Sequence, residues 1–168
     1  MAGRAWLLLA YGDDRAYAGN RGYDDRLDRY SYDSNVPNWK RVTTGDLAII
    51  AGRVGRRGPP EMSGTAAIER VTSTIGSKEI GRCPTCGHPR YKARSTKLPT
   101  YRCDRGHEFD TAIVEQVVVR KLTAWFGGTY RHIPNALSPK QLKSLQHGPR
   151  DGNAIRPLEY GKIAMLFQ

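Results

Sequence analysis

The chain has 168 residues, a formal charge of +11 and a pI near 9.9, which fits one domain of moderate core and favours a polyanionic partner, most often nucleic acid. The excess is uneven: residues 1–46 hold seven basic and seven acidic side chains, residues 47–168 twenty and nine. No stretch approaches membrane-spanning length, and the apolar run at residues 6–10 is too short for a signal sequence and is followed by Asp13 and Asp14, so a soluble, cytoplasmic protein is expected.

In chain order, Trp6-Leu7-Leu8-Leu9-Ala10-Tyr11 reads as a fully buried strand ended by the turn Gly12-Asp13-Asp14. Residues 12–38 then break every regular pattern. They carry Gly12, Gly19, Asn20 and Gly22, the tyrosines 17, 23, 30 and 32, and a series of aspartates. So many aromatics argue against disorder, and a long irregular segment in a compact domain reads as functional. Residues 42–51 form a tight turn feeding a strand, and residues 64–71 the strand that returns beside it. Between them Gly52-Arg53-Val54-Gly55-Arg56-Arg57-Gly58-Pro59-Pro60 is a basic loop, either a solvated hairpin tip or a finger that lays Arg53, Arg56 and Arg57 along DNA.

Residues 80–110 carry the firmest signal. Cys83-Pro84-Thr85-Cys86 is followed, sixteen residues later, by Cys103-Asp104-Arg105-Gly106-His107. Two residues between thiolates make a knuckle that points both sulfurs at one tetrahedral metal, and the second pair closes the site at zinc-ribbon distance. Free thiols or a redox pair leave the second pair unexplained. His88 rivals His107 as fourth ligand, but it lies two residues past Cys86, where the backbone has to double back. Four protein ligands leave no open position for water, so the expected zinc is structural. Around it stand Arg82, Arg90, Lys92, Arg94, Lys97, Arg102 and Arg105, with Asp104 the only acid between Arg82 and Arg105, which reads as a solvated cationic hairpin or a phosphate-contacting surface.

Beyond the ribbon, residues 112–122 are rich in β-branched side chains and read as a long strand. Trp125, Phe126 and Tyr130 read as core. Ser138-Pro139 supplies the cap and first-turn proline of a helix to about Gln146, and residues 157–167 a second helix with Leu158, Ile163, Leu166 and Phe167 inward, or a strand. The expected class is mostly β (α+β) over a single domain, residues 1–168, with a zinc-ribbon insertion and one or two C-terminal helices.

The sequence has no phosphate-binding Walker loop, dinucleotide fingerprint or nucleophile elbow, and none of its four histidines sits in a His-x-x-x-His or HNH context. Asp24, Asp25, Asp28 and Asp33 offer a magnesium-dependent nuclease as one alternative, without the Glu-x-Lys partner such enzymes use. Gly22-Tyr23-Asp24-Asp25 and Tyr30-Ser31-Tyr32-Asp33-Ser34 supply instead what an extruded base needs. Rings sandwich its faces, and a carboxylate accepts the cytosine amino proton but has nothing to accept from thymine. These tyrosines also read as core residues and the aspartates as turn caps.

Residues 15–25 and 30–38, Gly45-Asp46-Leu47, the metal ligands and Pro99-Thr100-Tyr101-Arg102-Cys103 together resemble the SRA-like domain of McrA-type HNH restriction endonucleases, which are type IV, modification-dependent enzymes. The likeness covers nearly the whole chain. It implies a PUA/SRA-like β-barrel that binds double-stranded DNA and flips 5-methylcytosine, with Tyr23 and Tyr32 stacking, Asp25 (or Asp24) reading the amino edge, Tyr30 nearby, and Asp33 with Ser34 walling the methyl group. Asp33 stands where such readers often have a small hydroxyl residue, which leaves methyl against hydroxymethyl open. No HNH motif is present, so the resemblance implies a nuclease elsewhere in a parent chain or recognition without cutting. An RNA-binding PUA- or EVE-type zinc module shares the barrel and the charge.

Overall fold

The computed structural model describes residues 3–10, 25–53, 58–148 and 150–168. Tyr11, Tyr17, Tyr23, Asp24, Arg56 and Arg57 lie outside them. The fold is mostly β. The first strand, β1 (Ala5–Ala10), is apolar throughout because both its faces are covered. Trp6 and Leu8 point into one core, and Ala5, Leu7 and Leu9 into another. It sits inside a five-stranded sheet with β3 (Leu47–Arg53), β4 (Pro60–Ala67), β10 (Arg131–His132) and β11 (Ile155–Leu158), in the order β10-β4-β3-β1-β11. β1 runs parallel to β3 and antiparallel to β11.

A second sheet, ordered β2-β9-β5, contains β2 (Arg29–Asp33), β5 (Arg70–Arg82) and β9 (Ile113–Trp125). The main core lies between the sheets and joins Trp6, Leu8, Tyr30, Tyr32, Val42, Ile50, Ile68, Leu122 and Phe126. The opposite face of the five-stranded sheet is covered by Leu142 of α1 (Pro139–Ser144) and Ile163 of α2 (Tyr160–Ile163). The chain passes from one sheet to the other at residues 68 and 69, where Ile68 N–H donates to Asp46 O and Glu69 N–H to Trp125 O.

Asp46 fastens this corner. Its side chain is 6% exposed and accepts from Trp6 Nε1 at 2.8 Å, Thr43 N at 2.9 Å and Arg4 Nε at 3.2 Å, which ties the turn before β3 to the start of β1. The α1 cap is the expected one: Ser138 Oγ accepts from Gln141 N, and Gln141 Oε1 from Ser138 N. Three elements differ from the sequence reading. Residues 29–33, expected within an irregular stretch, form β2, because Tyr30 and Tyr32 gain a core to enter. The helix expected over 157–167 divides at Glu159 into β11, α2 and a 3-10 turn, Ala164–Phe167. The strand expected to return over 64–71 is split by the corner, and β5 runs on to Arg82.

β5 and β9 pair along their full lengths, from Arg70 opposite Trp125 to Arg82 opposite Ile113. Near their base Leu122 and Ala124 are buried, whereas towards the far end Ile75, Ile113, Val114 and Val118 are exposed. The pair is an arm, and Cys83 follows its last residue.

Candidate metal centre and nucleic-acid interface

At the end of the arm, β6 (Tyr91–Ala93), β7 (Tyr101–Cys103) and β8 (Glu108–Phe109) make a small antiparallel sheet. Two similar turns belong to it, one before β6 and one between β7 and β8. In the first, Cys83 O accepts from Gly87 N at 2.8 Å and His88 O from Cys83 N at 3.0 Å; in the second, Cys103 O accepts from Gly106 N at 2.9 Å and His107 O from Cys103 N at 2.9 Å. Each doubles back through a glycine of positive φ, +71° at Gly87 and +90° at Gly106, a conformation that costs side-chain-bearing residues energy.

The turns bring the ligand atoms of Cys83, Cys86, Cys103 and His107 within 4.8 Å of one another. Cys86 Sγ lies 3.9 Å from Cys103 Sγ, which is 3.6 Å from His107 Nδ1. A tetrahedron around a metal bound at about 2.3 Å has its corners about 3.8 Å apart, so the four atoms stand where such an ion needs them. His88 is not among them: its Nδ1 accepts from Arg90 N at 3.2 Å. Burial opposes the Cys83 thiolate, but hydrogen bonds from the Cys86 and Thr85 backbone and from the Cys86 and Cys103 thiols hold its pKa below the ordinary thiol value. This is the only such group of three or more metal-ligating side chains among the described residues.

Strand alternation sorts the rest of the hairpin. Tyr91, Tyr101 and Phe109 face the cysteines, their ring centroids 5.2–5.7 Å apart. Lys92 and Arg102, directly opposite each other, take the other face and are exposed, as are Arg90, Lys97 and Arg105. Arg94 is engaged within the hairpin: Nη1 donates to Glu108 at 2.6 Å and Nε to Pro99 O at 3.1 Å. Arg82 pairs with Glu115 and donates to Gly87 O. Five exposed cations remain on the scaffold built around the two turns.

The residues expected around an extruded base are divided. Tyr30 and Tyr32 share the core-facing side of β2, each 1% exposed, with centroids 5.8 Å apart and planes at 27°. Tyr30 Oη donates to Leu9 O at 3.2 Å. The Tyr32 hydroxyl is buried without a hydrogen-bond partner among the described residues, and burial, followed by the Asp46 carboxylate, pushes its pKa well above the ordinary value. Asp33, one residue on, points to the opposite face of the sheet, where it is fully buried and paired with Lys78 Nζ at 2.7 Å. Sequence reasoning missed Lys78, which sits in a polar edge strand with nothing to mark it. Ser34 Oγ accepts from the Arg120 amide at 3.0 Å, and Asp25 Oδ1 from the Ser31 amide at 2.7 Å. Asp28 lies 3.6 Å from Arg29. β2 therefore does not bring Tyr32 and Asp33 to one pocket. Arg53 closes β3.

No protein-family model matches the sequence, and no curated protein is significantly similar to it. Among the described residues no helix is long and apolar enough to cross a membrane.

Proposed function

We propose that this chain is a PUA/SRA-like module that binds double-stranded DNA, with structural zinc at Cys83, Cys86, Cys103 and His107 and the surrounding hairpin laid against phosphates. The observation that carries the reading is the clean division of that hairpin. Its rings and thiols are turned inward, while Arg90, Lys92, Lys97, Arg102 and Arg105 are turned outward, and none of the five is ion-paired with a described residue. When bound, zinc fixes the two turns; this chain's own residues then present the charge.

The finer reading rests on the resemblance. The module recognises 5-methylcytosine, or 5-hydroxymethylcytosine, through Tyr23, Asp24 and Asp25, as the recognition domain of a modification-dependent restriction endonuclease in a reducing bacterial cytoplasm. The test is a fluorescence-anisotropy titration of the zinc-loaded protein with matched duplexes carrying cytosine, 5-methylcytosine or 5-hydroxymethylcytosine at one site, at several salt concentrations. The logarithm of the affinity should fall with slope about −0.9 per phosphate neutralised, and the preference for a modified base should survive high salt and be lost in Asp25→Asn. Equal, salt-labile binding to all three duplexes removes base reading. Stronger binding to structured RNA than to any duplex overturns the DNA assignment.

A further inference from the structure

A second basic site is lined by residues outside the metal hairpin, which the zinc ligands and the base-reading loop do not include. Arg53 at the end of β3, Lys140 and Lys143 on α1, Arg150, and Arg156 on β11 line one cleft of about 480 Å³, within the usual size range of small-ligand sites. Among the described lining residues five cations stand beside one acid, Asp151. A run of lysines on a convex helix is an ordinary solvated face. Here cations from four separate stretches of sequence converge on one hollow, where low-dielectric walls focus their field and raise the local concentration of an anion.

The cleft is also built in part. Arg156 is 5% exposed; its Nε donates to Asn153 O at 2.7 Å, and its Nη1 to the Gln146 amide oxygen at 3.1 Å once that amide is oriented to satisfy both its ends. Asp151 Oδ1 accepts from Asn153 N at 2.9 Å, and this turn holds the carbonyl that orients Arg156. Beside this fixed Arg156, the exposed side chains of Lys140, Lys143 and Arg150 supply the cations that neutralise a phosphate.

We infer that this cleft is a phosphate-ester site, occupied either by the backbone of a nucleic-acid strand or by a free nucleotide. It needs no contact between the metal hairpin and DNA, so this inference and the proposed function fail separately. The test is an amide NMR titration of the full chain with inorganic phosphate against sodium chloride at matched ionic strength, repeated with a mononucleotide and with duplex DNA. Phosphate should give saturable shifts at residues 140–144 and 150–156, at least tenfold weaker in a Lys143→Glu/Arg150→Glu variant, whose substituted positions are exposed and whose fold is checked by circular dichroism. Saturation by duplex assigns the site to a backbone phosphate, and saturation by mononucleotide alone to a free nucleotide. Absence of saturable shifts with all three probes, or equal shifts in the variant, overturns the inference. If phosphate saturates the cleft while duplex binds nowhere on the protein, the proposed function is refuted and the cleft stands.

Discussion

Replacing Tyr32 by phenylalanine should make the protein more stable. Its ring is packed among Trp6, Leu8, Tyr30 and Leu122 at 1% exposure, and its hydroxyl has no hydrogen-bond partner among the described residues. A buried, unsatisfied polar group costs about 1–3 kcal/mol. Removing the oxygen leaves a void of about 10 Å³, which costs about 0.2 kcal/mol at about 24 cal/mol per Å³. The net gain is about 1–3 kcal/mol, or about 2–12 °C in Tm for a chain of this length. Urea denaturation at pH 7 measures it as a rise in midpoint at constant slope. An alkaline arm checks the same hydroxyl by another route. Tyr32 is held protonated in the folded state, its pKa raised above the ordinary 10.0 first by burial and then by the Asp46 carboxylate. Stability is fully present below pH 10 and is lost as pH rises above it, because the unfolded chain gives up its proton first, with a limiting slope of about 1.4 kcal/mol per pH unit for one such group. Tyr32→Phe should flatten that decline. A variant that loses 1 kcal/mol or more at pH 7, and keeps the alkaline slope, shows the hydroxyl to be bonded and refutes the reasoning.

Two further outcomes are expected. Asp46→Ala leaves the buried Trp6 indole N–H and the Thr43 amide without their acceptor, so it should cost about 2–5 kcal/mol in the same urea experiment; a loss below 1 kcal/mol means that water replaces the carboxylate. Chelation should unfold the metal hairpin and spare the rest, since the buried apolar part of the hairpin is only Cys83, Cys103 and Phe109 while the two main cores lie elsewhere. In an amide NMR spectrum the resonances of residues 83–112 should collapse with those of β1, β3 and β4 unmoved; retention of the hairpin signals after complete metal removal contradicts the fit of the four ligands.

The clustering of Cys83, Cys86, Cys103 and His107 was legible because its information is local: four candidate ligands and the spacing between pairs point to two turns whatever the rest of the chain does. β1 was legible as well, since six apolar residues in succession can only be buried on both faces. The α1 cap is local in the same way. What the sequence did not disclose depends on partners far away along the chain. β2 looks irregular until the core receives Tyr30 and Tyr32, and Lys78 looks like any surface lysine until β9 pairs with both β2 and β5 and sets it beside Asp33. The cleft around Arg156 needs Arg53 and α1, more than eighty residues apart in sequence, and no pattern within a window can show that convergence.

The alternation of β2 also decides where a base-reading pocket can be sought. Two rings that sandwich a base need about 7 Å between them, two ordinary stacking distances of about 3.5 Å, and Tyr30 and Tyr32 are 5.8 Å apart and already packed on each other. Asp33 lies across the sheet in an ion pair with Lys78, where breaking the contact to receive a cytosine edge strands a buried charge. Tyr32→Ala is for the same reason a poor probe of recognition, since it empties the main core and costs about 3–5 kcal/mol whatever the protein binds. Asp25 is different: it lies at the approach to β2, half-buried, and one carboxylate oxygen holds the Ser31 amide. Asp25→Asn keeps an oxygen for that amide but removes the charge that a cytosine amino group favours. Loss of modified-base preference at unchanged urea midpoint therefore assigns a reading role to this position. A fall in midpoint with preference intact assigns Asp25 to the turn alone.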